Sequence, residues 1–164
     1  MPEFGLARRV ILVDGEAGFI LTDAFYHNHT GRASEEAGGH IVAIGGTRFR
    51  CYLELARIPG NRVAAPRDND GDSQRNSVER FADMTCPERK VYGDEDASRS
   101  TFGICVYSDN TERCERFFDG TRRRISVQEY MLAGKARDAL RLLEKEARMT
   151  VPAYIPEAVA WINA

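Results

Sequence analysis

Two short acidic stretches hold the residue types that could do chemistry. RVILV (9–13) ends in Asp14-Gly15-Glu16, and NRVAAP (61–66) runs on into Asp68-Asn69-Asp70-Gly71-Asp72. Carboxylates gathered in one place suit a hard divalent cation, Mg²⁺ or Mn²⁺, which prefers carboxylate and water oxygens. Without a cation, two such charges about 4 Å apart repel by about 4 kcal/mol at an effective dielectric of ~20. The same letters also read as turns, since Asp-Gly and Asn-Asp-Gly are ordinary turn sequences, so a solvated loop is the competing reading. A calcium loop of the EF-hand kind fits worse. Counted from Asp68, Glu79 stands at its required acidic position, but Ser73 stands where that loop needs glycine.

Placing those acids together requires a particular order of elements. VILV (10–13) is a short continuous apolar run, as in a strand covered on both faces. A helical spacing follows over 17–29 (Phe19, Ile20, Ala24, Phe25), then a second strand, HIVAI (40–44). Thr47 can cap a helix through Arg57, with Cys51, Leu55 and Phe49 on its apolar face. A third strand (61–66), a helix over 73–84 and a fourth strand, RKVYG (89–93), complete a β-α-β-α-β-α-β order. That order predicts an α/β fold with a mainly parallel sheet flanked by helices. In such a sheet sites form outside the carboxyl ends of the strands, where both acidic stretches lie. Beyond Asp94 the pattern is helical. Pieces over 98–118 break near Ser108-Asp109-Asn110, and 127–148 is split at Gly134. A tail helix starts near Pro156, with Tyr154, Ile155, Val159, Trp161 and Ile162 docking it.

At 164 residues, 43% hydrophobic and 29% charged, the chain has the length and composition of one soluble domain with its own core. A net charge of -2 excludes a globally basic coat, although local patches remain open. There is no 18-residue apolar run and no signal-peptide core, so a cytoplasmic setting is the default expectation. Cys51, Cys86, Cys105 and Cys114 form no CxxC pair, which argues for reduced thiols over a zinc site. His27-x-His29 reads as a solvated helix end in preference to a metal pair.

The ordered set ILVDGEAGFIL, IVAIGGTRF and RVAAPRDNDGD resembles the TOPRIM domain of OLD-family (overcoming lysogenization defect) nucleases. STFGICVYSDN, YMLAGKARDALRLLEKEA and VPAYIPEAVAWI resemble the C-terminal half of that region in class 2 members. The resemblance runs in order from about Arg9 to Asn163. It implies a Rossmann-like TOPRIM core over 9–95, a helical part packed on it over 96–164, and linker residues at 1–8. It also implies metal-dependent cleavage of DNA and, in full-length members, a preceding ABC-type ATPase region. No GxxxxGK[ST] phosphate loop is present here. Carried over position by position, Asp14 stands where the family has a glutamate after the first strand, and Asp68 and Asp70 stand at its Asp-x-Asp pair. Thr101 and Lys135 stand where the helical part adds a hydroxyl and a lysine. The resemblance thus implies Asp14, Asp68 and Asp70 as ligands of one or two Mg²⁺ or Mn²⁺ ions. A lysine beside them can neutralise charge building on a phosphate.

The chain also departs from that pattern. Gly18 and Gly103 stand at two expected glutamates, Gly134 at an expected asparagine, and Pro66 where an aliphatic residue is usual. Glycine offers no ligand atom, so one metal site and weakened catalysis are the expectation, with Glu16 either reaching in as a substitute ligand or pointing outward after Asp-Gly. Arg122, Arg123 and Arg124, with Arg48 and Arg50, are candidates for a local DNA-facing basic surface, although a solvated turn is the better reading of the triplet. Two other classes share the acidic sheet edge. One is a catalytically inactive DNA-binding or assembly module, the other a response-regulator-like phosphoacceptor, which the helical tail disfavours.

Overall fold

The computed structural model describes residues 7–45, 48–57, 61–120, 124–145 and 149–164. Four parallel strands form one sheet in the order β2-β1-β3-β4: β1 (Arg9–Asp14), β2 (Gly39–Ile44), β3 (Arg62–Pro66) and β4 (Arg89–Tyr92). The two central strands are apolar on both faces. Val10, Leu12, Val63 and Ala65 point to one side, and Ile11, Val13 and Ala64 to the other; all are buried. Continuous apolar runs are what a doubly covered strand requires. Pro66 ends β3, where its missing N–H leaves the rest of the ladder intact.

Helices α1 (Gly15–Thr30), α3 (Phe102–Asp109), α6 (Lys135–Lys145) and α7 (Tyr154–Asn163) pack on one face, in a core that joins Leu21, Phe25, Val106, Ala139, Ile155 and Val159 to the sheet. The opposite face is covered by α2 (Phe49–Leu55) and by the turns that place Phe81 and Met84. Helices α4 (Thr111–Phe117) and α5 (Val127–Ala133) close a smaller cluster around Cys114, Phe118 and Met131. Ser126 starts α5 with a reciprocal capping box to Glu129. The first and third strands are neighbours, and the helical breaks fall, as expected, at Asn110 and Gly134. Tyr154, Ile155, Val159 and Ile162 are buried, and the Trp161 ring lies 4.4 Å from the Arg62 guanidinium.

Three expectations are corrected. The stretch 73–84 forms a π turn (Gln74–Val78) and a 3₁₀ turn (Glu79–Phe81) in place of a regular α-helix. In α2, Phe49 and Leu53 face the core, whereas Cys51 is exposed and Leu55 is 52% exposed. The tail helix begins at Tyr154, two residues before Pro156. Thr47, Arg122 and Arg123 lie outside the described residues. Among the described residues no helix is long and apolar enough to cross a membrane.

Candidate active site

Continuing the β1–β3 register, which pairs Ile11 with Ala64, sets Asp14 level with Arg67. Asp68 therefore follows at the same carboxyl edge of the sheet. The turn after β1 is sharp: Gly15 opens α1 with a φ of +68°, a conformation that glycine adopts without a Cβ penalty. Asp14 precedes α1 but makes no side-chain capping bond to it. Asp68 accepts a hydrogen bond at 2.6 Å from the backbone N–H of Phe102, the first residue of α3.

A cavity of about 280 Å³ opens at this edge. Asp14, Glu16, Asp68, Thr101 and Lys135 all line it, so residues 121 positions apart in sequence meet in one pocket. Lys135 is the first residue of α6, and the one-residue break at Gly134 aims that helix start at the sheet edge. Thr101 has both of its anticipated roles, lining the cavity and capping α3, with Oγ1 accepting from the Ile104 N–H at 3.4 Å. Glu16 sits exposed at the rim. Burial pushes the Asp68 carboxyl up to about 6, with the negative charges of Asp14 and Asp70 adding to it. The Phe102 N–H bond and the Lys135 charge oppose the rise. A carboxyl raised in this way gains from any cation bound beside it.

Asp70 takes a different position. It adopts a φ of +50° and accepts a bond at 3.1 Å from Arg67, while its side chain remains 54% exposed. Arg67 is itself buried and lies 5.0 Å from the Phe81 ring, a setting whose desolvation lowers its pKa. Asp72 lies outside the cavity and accepts from the Arg75 N–H. Among the described residues no three His, Cys, Asp or Glu side chains gather as a ready cage for a metal. Two carboxylates do fit a single Mg²⁺-type ion, which commonly keeps several waters and takes one or two protein carboxylates. Gly103 lines the cavity, and a Cβ there would meet a Leu132 methyl at 2.9 Å. Of the basic candidates, Arg50 is paired with Asp83 and Glu54, and Arg124 is exposed.

Several residues that build the site were not singled out from the sequence. Asn69, 1% exposed, donates to the carbonyls of Asp94 and Asp96 at 2.8 Å and accepts from the Gly71 N–H, pinning the acidic loop to the segment after β4. Arg99 bridges Asp94 at 2.6 Å and Asp109 at 2.7 Å, fixing the approach to Thr101. Asp138 lines the cavity one helical turn after Lys135, 1% exposed, with Arg137 holding both its oxygens at 2.9 Å. Only Asp138 carried a signal, an acid three residues from Lys135 on the same helix face.

Residues 6–70 match the family model described as the overcoming lysogenization defect protein-like TOPRIM domain. That stretch is an OLD-like TOPRIM domain. TOPRIM domains generally bind divalent metal ions, and the match is consistent with a nuclease-type domain. Solved structures extend the likeness in fold across the chain. The C-terminal region of the Burkholderia pseudomallei OLD protein superimposes with a TM-score of 0.70 at 16% identity, over 95% of this chain and 96% of that one. That of the Xanthomonas campestris pv. campestris OLD protein gives 0.64 at 18% identity, over 96% and 95%. No curated protein matches in sequence.

Proposed function

We propose that this chain is a metal-dependent nuclease domain that hydrolyses phosphodiester bonds in DNA, working within a larger protein that carries an ABC-type ATPase region. The observation that carries the reading is the meeting of Asp14, Asp68 and Lys135 in one cavity at the carboxyl edge of the sheet. Asp14 and Asp68 would hold one Mg²⁺ or Mn²⁺, with Asp70 held back by Arg67 as an outer carboxylate. A bound divalent ion supplies Lewis-acid charge and lowers the pKa of a coordinated water. The chain's own groups do the rest. Lys135 offers a fixed positive charge to the non-bridging oxygens of the phosphate, where negative charge grows in the transition state. The Phe102 N–H holds the Asp68 carboxylate in one orientation. Thr101 sets the start of α3 against the cavity. Incubation of supercoiled plasmid with the chain and Mn²⁺ should yield nicked and linear forms, and Asp68→Ala should abolish both. Absence of any metal-dependent product would reject the activity.

A second reading, a catalytically weakened DNA-binding or assembly module, is favoured by Gly18 and Gly103, which bring no ligand to the site. If cleavage appears only in the Gly18→Glu, Gly103→Glu double variant, that reading holds.

A further inference from the structure

A second gap of about 10 Å³ shares Asp14, Asp68 and Phe102 with the main cavity and is lined also by Gly18, Thr22 and Tyr154. Its volume is that of about one water, by the ~10–15 Å³ a single probe sphere needs. Thr22 is 0% exposed, and its hydroxyl has no hydrogen-bond partner. The other described buried side-chain atoms in that condition belong to Asn61, Ser77 and Arg113, none of which lines this gap. Buried polar groups ordinarily find a partner, so an orphaned hydroxyl beside two carboxylates points to an occupant. Gly18 stands one helical turn before Thr22, so both look from the same face of α1 into the gap. A Cβ at Gly18 would touch only Val13, at 3.4 Å. Helix α1 therefore presents to the carboxylates one residue without a side chain and, a turn later, a hydroxyl with nothing to bind.

We propose that Thr22 is a positioning residue for the divalent cation, its hydroxyl holding one water in this gap against the Asp14–Asp68 pair. That water would donate to Thr22 Oγ1 and leave a lone pair for a cation held by Asp14 and Asp68, so that Thr22 supplies from one turn further along α1 what Gly18 cannot. This rests on the cation reading given above, which assigns Thr22 no part. Outer partners of this kind change metal affinity by about 10–100-fold.

The test is Mn²⁺ titration calorimetry on the intact chain, compared among wild type, Thr22→Val and Thr22→Ser, with melting in EDTA alongside. Thr22→Val keeps the shape and removes the oxygen. It should weaken Mn²⁺ binding about tenfold while melting in EDTA no lower than wild type, because the lost hydroxyl had no protein partner. Thr22→Ser should restore the affinity. Wild-type affinity in Thr22→Val overturns the proposal and leaves the cation site standing, as does a Thr22→Ser variant no better than Thr22→Val. A wild-type chain that binds no Mn²⁺ overturns both.

Discussion

Asp68→Asn should make the metal-free protein more stable at neutral pH while destroying its capacity for metal. The Asp68 carboxyl rises from 3.8 to about 6, first because it is buried and then because Asp14 and Asp70 stand near. At ~1.36 kcal/mol per pH unit, the rise corresponds to about 3 kcal/mol against the charged form. Asparagine keeps the oxygen that accepts from Phe102 and sheds the charge, although its new amide donors need partners. A net gain of about 2 kcal/mol is expected, or about 4–8 °C in Tm for a chain of this size. The pH dependence follows from proton counts. Between about pH 4 and 6 the unfolded chain releases the Asp68 proton before the folded one does, so wild-type stability falls as pH rises through that window. Above about 6 both states are ionised and the penalty is constant. Below about 4 both are protonated and it disappears. Urea unfolding in EDTA at pH 8 and pH 4.5 should therefore show an advantage for Asp68→Asn at the higher pH that shrinks at the lower. An equal effect at both values, or a loss of stability at pH 8, would refute the reasoning.

Lys135→Met should lower kcat for plasmid cleavage by about 10²–10³-fold, the usual loss on removing one electrostatic stabiliser, with Mn²⁺ affinity little changed by calorimetry. Arg99→Met leaves Asp94 and Asp109, 18% and 21% exposed, without their shared cation. It should cost about 3 kcal/mol in urea unfolding at pH 7 and less at pH 4, where the carboxylates protonate. Gly103→Glu should fold with little loss in Tm, because only a mobile Leu132 methyl must move, and should tighten Mn²⁺ binding in the cavity it enters.

Much of the arrangement was legible because strands and helices obey different spacings. The apolar runs 10–13 and 61–66 read as strands, both ending in acids, and the structure supplies the pairing that sets Asp14 and Asp68 at one edge. Gly134 and Asn110 marked their breaks through ordinary backbone preference. Periodicity failed where two answers satisfied it. In α2, Phe49 and Leu53 share the same four-residue spacing as Cys51 and Leu55, and only the sheet decides which pair is covered. In the 73–84 stretch apolar spacing does not distinguish a regular α-helix from successive π and 3₁₀ turns. Asn76 donates to the carbonyl of Asn69, and Asp72 accepts from the Arg75 N–H. The position of Asp70 depended on the buried cation Arg67, whose place between Phe49 and Phe81 no local pattern announces. Thr22 was invisible for a related reason, since an unpaired hydroxyl exists only once the helix is packed.

The central claim is that the ends of β1 and β3 deliver their aspartates to one divalent ion. Calorimetric titration of the metal-free chain with Mn²⁺, repeated on Asp14→Asn and Asp68→Asn, tests it most directly. One ion per wild-type chain, and none in either variant, is the predicted result. Binding that survives both substitutions, or no binding by the wild type, would contradict it.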